Sequence, residues 1–306
     1  MNDIVHVLGP TGVGKSQLAV EIAIRFAGEI ISADSVQVYR DFNIGTDKIS
    51  ADRRCRIPHH LIDIIADCSQ FNAARFLEES QRRCNEIISR GKLPVVCGGT
   101  AFYLKTMIRG IFPETKAEPG IRRQLADLAD EKGLGFLWQR LRRIDPVYAG
   151  TISANDRVRI IRALEIEHNT GLPPTAVFAK TSTPFKDFRF IRIGLNLERH
   201  ELYERINRRI DRMIELGFVD EVKTLMSRYP KSCPPFQAVG YREMVQHLEG
   251  EIGFDRAVEL IKQHSRQFAK RQLSWFRQEK DIRWFDPRQG VEEIEHFLRE
   301  QLWNRP

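Results

Sequence analysis

The stretch Gly9-Pro10-Thr11-Gly12-Val13-Gly14-Lys15-Ser16 matches the phosphate-binding loop pattern G-x-x-x-x-G-K-[ST] at every fixed position. The apolar run Ile4–Leu8 before it predicts a buried strand, and apolar residues recur at helical spacing after it. In such a loop the glycines let the backbone wrap an anion, and the amide groups at the helix start point at it. Lys15 adds a positive charge and Ser16 a hydroxyl suited to Mg²⁺. The stretch therefore predicts a site for phosphate or pyrophosphate.

The composition narrows the class of protein. The chain has 306 residues, of which 42% are hydrophobic and 29% are charged, as in ordinary globular proteins. No apolar run approaches the roughly 20 residues that span a bilayer, and the N-terminus lacks the pattern of a signal peptide. The five cysteines, at positions 55, 68, 84, 97 and 233, have no C-x-x-C spacing, so we expect reduced thiols in a cytoplasmic protein. The net charge of +7 hints at a polyanionic partner.

Two further strands are predicted to end beside the phosphate loop. Asp34 follows the apolar segment Glu29–Ala33, and Thr100 follows the strand Leu93–Cys97 through Gly98-Gly99. In open parallel sheets ligands bind beyond the carboxyl ends of the strands, so both residues are candidates for the site. The alternative for Asp34 is a helix N-cap. The strand that ends in Gly-Gly-Thr lacks the acidic residue that an ATPase uses to hold Mg²⁺, which weakens the ATPase interpretation.

A change of pattern near Pro113 predicts a domain boundary. From there to about residue 184 the periodicity predicts helices only, over 121–131, 136–143 and 158–168. These helices are rich in arginine, Arg122, Arg159 and Arg162 among them. The charges predict either an RNA-binding surface or ordinary solvated faces paired with acidic residues such as Asp130 and Glu165.

The C-terminal part of the chain returns to the sheet and then becomes basic. Residues 188–195 fit a strand, and residues 201–226 fit one long helix. This helix carries Arg205, Arg208, Arg209 and Arg212, and an arginine held near a pyrophosphate would clamp it. The loop-to-helix stretch Gln237–Arg242 shows no packing purpose. The helix predicted over 256–280 carries seven Lys or Arg residues with aromatic residues among them, which suits phosphate contact and base stacking. The alternative is a helix whose aromatic residues face inward.

Together these patterns predict an α/β fold: a P-loop NTPase-like parallel-sheet core with a helical insertion domain and a helical C-terminal region. The core is predicted to comprise residues 1–114 and 186–306, and the insertion residues 115–185.

An ordered set of motifs over nearly the whole chain resembles the tRNA dimethylallyltransferase (tRNA isopentenyltransferase) family. In order, the matching pieces are the loop Gly9–Ser16, Ile31–Ser35 with Tyr39, Ile44–Thr46 with Lys48, Pro58–Asp63, Gly98–Thr100, Asn155-Asp156 with Arg162–Glu165, Arg205-Ile206 with Arg209, Val239–Arg242, and Lys270–Gln272 with Trp275. The zinc finger of eukaryotic members is absent, which indicates the bacterial type.

The resemblance implies transfer of the dimethylallyl group of dimethylallyl diphosphate to N6 of adenosine 37, in tRNAs that read codons beginning with U. It implies that the loop Gly9–Ser16 holds the diphosphate of the isoprenoid, with Mg²⁺ near Ser16. Asp34, Thr100 and Arg209 become the expected catalytic residues. The expected contacts with the tRNA anticodon stem-loop are Asp34, Ser35, Val36, Gln37, Thr100, Arg122, Val158, Arg159, Ile160, Ile161, Arg162, Gln237, Ala238, Val239, Gly240, Tyr241, Arg242, Lys270, Arg271, Gln272, Leu273, Ser274, Trp275, Phe276 and Arg277.

Three other functions use the same loop. A small-molecule kinase would bind ATP in it, with Asp34 as the base for a hydroxyl. An isopentenyltransferase acting on free AMP or ATP would share the core chemistry but would not need the basic helix. A non-catalytic RNA-binding protein would not need Asp34 together with an intact loop. No coiled-coil heptad indicates a dimer, so we expect a monomer.

Overall fold

The computed structural model describes residues 2–50, 54–112 and 120–303. The chain divides into two compact units, one made of residues 1–108 and 185–306 and the other of Arg109–Pro184. The sequence places the boundaries after residues 114 and 185, and the first of these, with Pro113, lies outside the described residues.

A six-stranded parallel sheet forms the centre of the first unit, as predicted. Its spatial order is β3-β2-β4-β1-β5-β6. The strands are β1 (Asn2–Leu8), β2 (Gly28–Ser32), β3 (His59–His60), β4 (Leu93–Gly98), β5 (Phe188–Leu195) and β6 (Ile282–Phe285). Strand β1 is buried along its whole length after its first residue, because it lies in the interior of the sheet. Since β2, β4 and β1 are neighbours, the segments that follow them meet at one edge.

Helices make up most of the other regular structure in the described residues. In chain order they are α1 (Lys15–Arg25), α2 (Ala73–Ser89), α3 (Ala101–Arg109), α4 (Ile121–Lys132), α5 (Leu134–Ile144), α6 (Pro146–Gly150), α7 (Arg157–Thr170), α8 (Pro174–Ala179), α9 (Arg199–Glu215), α10 (Phe218–Arg228), α11 (Tyr241–Leu248), α12 (Phe254–Phe276) and α13 (Glu292–Trp303). No helix in the described ranges is long and apolar enough to cross a membrane.

The prediction of one long helix over residues 201–226 is wrong. The helix ends at Glu215, and a second helix begins at Phe218. Gly217 between them has a φ of 90°, in the left-handed region that glycine adopts at little cost. Such a glycine is a common helix C-terminus, and here it turns the chain between α9 and α10.

The second unit contains only helices among its described residues, as predicted. Helices α4, α5 and α7 bury one apolar cluster that includes Leu125, Leu137, Leu141, Ile160 and Leu164. The three helices therefore have a hydrophobic core of their own, as an independent folding unit requires.

The expectation of reduced thiols throughout is wrong for one pair of cysteines. Cys68 and Cys233 are joined by a disulfide, with their Cα atoms 4.9 Å apart. The two residues are 165 positions apart, so their spacing in the sequence carried no signal of the pairing. The other three cysteines, Cys55, Cys84 and Cys97, are free.

A buried histidine in strand β1 makes the stability of the fold depend on pH. His6 is fully buried, and neither of its ring nitrogens has a hydrogen-bond partner within the described structure. Its ring packs against Phe190, with the ring centroids 4.7 Å apart. Burial, with a further contribution from Arg192, lowers the pKa of His6 to about 3. The folded protein therefore keeps His6 neutral at pH values where the unfolded chain binds a proton.

We expect the free energy of unfolding to fall by about 2 kcal/mol on account of His6 between pH 6.5 and pH 5, because protonation then favours the unfolded chain. Urea unfolding at several pH values measures this loss. A His6→Leu variant should lose less stability than the wild type over the same interval. The exposed His200 supplies the control, and His200→Leu should follow the wild type. If His6→Leu and the wild type lost the same free energy of unfolding between pH 6.5 and pH 5, His6 would not be the group responsible.

Candidate active site

The ends of three adjacent strands bring the predicted site residues together. The phosphate loop follows β1, Asp34 follows β2, and Thr100 follows β4. The Thr100 hydroxyl accepts a hydrogen bond from the Ser35 amide at 3.2 Å, and the Thr100 amide donates to the Ala33 carbonyl at 3.2 Å. These two bonds fasten the segment after β2 to the segment after β4.

A cavity of about 700 Å³ opens at this edge of the sheet. The predicted site residues that line it are Thr11, Gly12, Gly14, Lys15, Ser16, Asp34, Ser35, Val36, Gln37, Thr100, Arg209, Gln237, Ala238, Val239, Tyr241, Arg242, Arg271 and Gln272. Other residues that were not among the predicted site residues also line it, including Thr46, Asp47, Arg205 and Phe268. The predicted residues Gly9, Pro10, Val13 and Gly240 support the lining segments without lining the cavity themselves.

The backbone of the phosphate loop takes a form that requires glycine. Gly9, Gly12 and Gly14 have φ values of 145°, 81° and 105°. At Gly9 a Cβ atom would lie 2.6 Å from the carbonyl oxygen of Leu195, so a larger residue cannot fit without moving the backbone. Helix α1 begins directly after Gly14, so its first amide groups face the cavity end of the loop.

Lys15 lies within this loop and is held by it. Its Nζ donates a hydrogen bond to the Pro10 carbonyl at 2.8 Å. Burial, with a smaller contribution from Arg209, lowers the pKa of Lys15 to about 8, while Cys97, Asp34 and Asp47 oppose the shift. An anion that enters the cavity would stabilise the charged form of this lysine and raise its pKa.

The Asp34 carboxylate is oriented by the turn that follows it. Its Oδ1 accepts hydrogen bonds from the amides of Val36 at 2.8 Å and Gln37 at 3.1 Å. Residues 35–38 form a turn and not a helix, so Asp34 caps a turn. The alternative of a helix N-cap is therefore wrong. The turn uses only Oδ1, and Oδ2 stays available to a substrate in the cavity that Asp34 lines.

Basic side chains outnumber acidic ones around the cavity. Helix α9 contributes Arg205 and Arg209, and other elements contribute Lys15, Arg242 and Arg271, against Asp34 and Asp47. Arg209 Nη1 lies 3.3 Å from Asp47 Oδ2, while its buried Nε has no partner in the described part of the chain. The cavity therefore favours an anion, and a guanidinium with unused donors suits a diphosphate.

One half-buried carboxylate fixes the loop that carries Thr46 and Asp47. Glu221 accepts hydrogen bonds from the amides of Asn43, Ile44 and Gly45 and from the Tyr241 hydroxyl. A Cβ atom on Gly45 would lie 2.3 Å from the Phe218 ring, which explains the glycine at this position. Sequence reasoning missed Glu221, because it lies more than 170 residues from the loop that it holds.

The stretch Gln237–Arg242 does have a packing role, contrary to the sequence interpretation. Tyr241 is fully buried, and its ring packs edge-on against Phe42 and Phe218. Burial also raises the pKa of the Tyr241 phenol. Only Gln237, Ala238, Val239 and Arg242 remain as exposed or half-exposed candidates for substrate contact from this stretch.

Helix α12 presents a basic face beside a shallow hollow of about 410 Å³. Lys270, Arg271, Ser274 and Trp275 line the hollow, and the Lys105 ammonium lies 5.2 Å from the centre of the Trp275 ring. Arg277 is exposed and Leu273 is half-buried at the end of the same helix. A hollow with basic and aromatic walls suits a nucleic-acid backbone and a stacked base.

Two residues of α12 are too buried to make the RNA contact that was predicted for them. Phe276 is fully buried, so the alternative of an inward-facing aromatic holds for this residue. Gln272 is 6% exposed, and both polar atoms of its side chain are bonded to other segments of the site. Phe268, by contrast, is 40% exposed and lines the cavity, although no contact was assigned to it.

In the helical unit, acidic partners hold several of the arginines. Arg122 and Arg162 both bond the buried Glu165, at 2.8 and 2.9 Å. Burial raises the pKa of Glu165, but the hydrogen bonds from these arginines bring it below its ordinary value. Ile160 and Ile161 belong to the core of the unit, so their side chains are not free to contact RNA. At the start of α7, Val158 is 78% exposed, and Arg159 is exposed although it pairs with Asp156.

The site offers few protein ligands for a metal ion. No group of three His, Cys, Asp or Glu residues in the described ranges is arranged to hold one. The Ser16 hydroxyl lines the cavity near Asp34 and Asp47. Mg²⁺ commonly keeps its waters and binds through substrate phosphates and one or two side chains, so this donor set fits an ion that arrives with a diphosphate.

Comparison with known proteins places the chain among transferases. The sequence profile described as IPP transferase matches residues 37–279. The chain belongs to the IPP transferase family. A tRNA dimethylallyltransferase of Carboxydothermus hydrogenoformans is 44% identical to this chain over 293 residues, which cover 95% of the chain and 94% of the relative. One from Geobacter metallireducens is also 44% identical, over 92% of each chain.

Solved structures resemble this chain over nearly its whole length. The tRNA isopentenylpyrophosphate transferase of Bacillus halodurans is 38% identical and aligns with a TM-score of 0.74, over 99% of this chain and 97% of its own. A eukaryotic dimethylallyltransferase described as acting on tRNA is 30% identical and aligns with a TM-score of 0.82, over 100% of this chain and 81% of its own. The predicted α/β fold class and the predicted family are therefore confirmed.

Proposed function

We propose that this protein transfers the dimethylallyl group of dimethylallyl diphosphate to N6 of adenosine 37, in tRNAs that read codons beginning with U. Diphosphate is the second product. The observation that carries the proposal is that the phosphate loop, Asp34 and Arg271 of the basic helix α12 line one cavity. The names of the relatives support a tRNA acceptor. We propose that the protein works as a monomer in the cytoplasm, where its tRNA substrates are.

The basic wall of the cavity would hold the diphosphate. The loop amides at the start of α1, together with Lys15 and Arg209, would neutralise charge on the departing oxygens. Thr100 lies beside Asp34 at the same edge of the sheet and would donate its hydroxyl to a diphosphate oxygen. When bound through Ser16 and the diphosphate, Mg²⁺ would supply further charge neutralisation for the leaving group.

In the same cavity, Asp34 would act on the amine. The exocyclic amine of adenine is a poor nucleophile, because its lone pair is delocalised into the ring. As the bond from N6 to C1 of the dimethylallyl group forms, the bond from C1 to the diphosphate oxygen breaks and its electron pair leaves with the diphosphate. The proton of N6 passes to Asp34, whose carboxylate is oriented by the amides of Val36 and Gln37.

The anticodon loop would be held by several separate surfaces. Lys270, Arg271 and Trp275 on α12 offer charges and a ring for stacking, and Arg242 extends the basic wall at the cavity. Val158 and Arg159 would contribute from the helical unit. The adenine has to leave its stack to reach Asp34, as substrates of base-modifying enzymes do.

The acceptor is identified directly by a transfer assay. The purified protein is incubated with radiolabelled dimethylallyl diphosphate and with tRNA, AMP, ATP or no acceptor. We expect label in tRNA alone. Label in AMP or ATP would assign the enzyme to free nucleotides, and label in no acceptor would remove the transfer activity and leave the kinase alternative; either result overturns the proposal.

Reversing two charges on α12 should weaken RNA binding. We expect the double variant Lys270→Glu, Arg271→Glu to lose affinity for tRNA about a hundredfold at low salt and less at high salt, because phosphate contacts depend on counterion release. Filter binding over a salt series measures the effect. The control is the double variant Lys92→Glu, Lys223→Glu, which reverses two exposed charges elsewhere and changes the net charge by the same amount. It should bind tRNA as the wild type does. Equal losses in both double variants would show that only net charge matters.

A further inference from the structure

The side-chain amide of Gln272 joins three segments of the candidate site. Its Oε1 accepts a hydrogen bond from the Thr11 amide in the phosphate loop at 2.8 Å. Its Nε2 donates to the Gly99 carbonyl, in the turn after β4, at 2.7 Å. Gln272 itself belongs to α12, the helix with the basic face. One amide group therefore ties the phosphate loop to the turn before Thr100 and ties both to the helix.

The surroundings of this amide leave it little freedom. Gln272 is 6% exposed, so its two hydrogen bonds are shielded from water. A Cβ atom on Gly99 would lie 2.4 Å from Gln272 Nε2, so the glycine makes room for the amide. The same hypothetical atom would lie 3.7 Å from Lys15 Nζ, which puts the amide next to the lysine of the phosphate loop. Only a side chain with both an acceptor and a donor can make the two bonds at once.

We propose that Gln272 is a positioning residue: it fixes the spacing between the phosphate loop and the Gly98–Thr100 turn, and it couples occupancy of the basic face of α12 to affinity for diphosphate. RNA held by Lys270 and Arg271 immobilises the turn of helix that carries Gln272. The amide then holds the Thr11 end of the loop in the form that receives the anion. By linkage, a bound diphosphate strengthens RNA binding by the same factor.

This inference rests on the proposed function, and the test separates the two. Calorimetry measures the affinity for inorganic pyrophosphate with Mg²⁺, with and without a short anticodon stem-loop RNA. In the wild type we expect the RNA to tighten pyrophosphate binding. In Gln272→Ala we expect pyrophosphate affinity to fall about tenfold, as the loss of two shielded hydrogen bonds implies, and the effect of the RNA to disappear. Affinity for the RNA alone should stay within about twofold of the wild type.

A second variant distinguishes the loss of the Gln272 hydrogen bonds from a loss of folded protein. Gln272→Glu keeps the shape and the acceptor for the Thr11 amide, but it cannot donate to the Gly99 carbonyl and it adds a negative charge. We expect it to bind pyrophosphate more weakly than Gln272→Ala, with an unchanged thermal midpoint. In turnover, both variants should raise KM for dimethylallyl diphosphate and leave KM for tRNA unchanged, whereas a general loss of folded protein would lower kcat alone.

The control lies on the same helix. Gln263 is exposed and lines neither the cavity nor the hollow, so Gln263→Ala should behave as the wild type. Unchanged pyrophosphate affinity in Gln272→Ala and Gln272→Glu, with a loss in Lys15→Ala, would overturn the role of Gln272 and leave the proposed function standing. A wild type that binds no pyrophosphate would overturn both.

Discussion

An Asp34→Asn variant should transfer the dimethylallyl group at least about a hundredfold more slowly than the wild type, while its affinity for tRNA stays within about twofold. General bases contribute on this scale, and asparagine keeps the size and the Oδ1 acceptor of aspartate without its basicity. The turn should survive, because the amides of Val36 and Gln37 bond Oδ1 only. Single-turnover transfer with saturating tRNA measures the chemical step directly.

The exposed Asp187 provides a matched control for the loss of one carboxylate. Asp187→Asn should turn over as the wild type does. A rate for Asp34→Asn within about threefold of the wild type would remove Asp34 from the proton transfer and leave it as a residue that only shapes the turn.

A Lys15→Ala variant should lose about a thousandfold in kcat/KM for dimethylallyl diphosphate. Removing one preorganised donor to a developing anion costs roughly 3–4 kcal/mol in other enzymes, and Lys15 carries a full charge next to the loop. Steady-state kinetics at saturating tRNA give the value. Unchanged KM and kcat would mean that the loop has some role other than binding the diphosphate.

The pH dependence of the same variant tests the charge of Lys15. Burial lowers the pKa of Lys15 to about 8 in the empty site, so the free enzyme loses this charge as the pH rises through that value. The wild-type kcat/KM for dimethylallyl diphosphate should therefore decline above pH 8. The Lys15→Ala profile should lack this decline, since the group that titrates is gone. Identical profiles would assign the alkaline decline to another group.

The parts of the fold that sequence predicted well are those with local signals. The phosphate loop, the strands beside it and the helices of the insertion can each be recognised within a short stretch of sequence, from glycine spacing or apolar periodicity. Asp34 and Thr100 could be placed in the site because the ends of neighbouring parallel strands must meet. The family motifs extended this placement to Arg209 and to the basic helix α12.

The parts that sequence missed depend on contacts between distant residues. Glu221 reaches the loop at Ile44 across the fold, and Asp47 pairs with Arg209 from another element. Cys68 and Cys233 likewise meet only in three dimensions. The inward side chains of α12 illustrate a different difficulty. The sequence of a charged helix shows where its aromatic residues recur. It does not show which of those rings face the core, because that depends on the elements packed against the helix.

The identity of the modified atom is the central claim, and one measurement tests it directly. A synthetic anticodon stem-loop with adenosine at position 37 and a second one with guanosine there are incubated with the enzyme and dimethylallyl diphosphate, digested to nucleosides and analysed by mass spectrometry. We predict N6-(dimethylallyl)adenosine from the first RNA and no modified nucleoside from the second. Equal modification of both RNAs, or of neither while diphosphate is still released, would contradict the account.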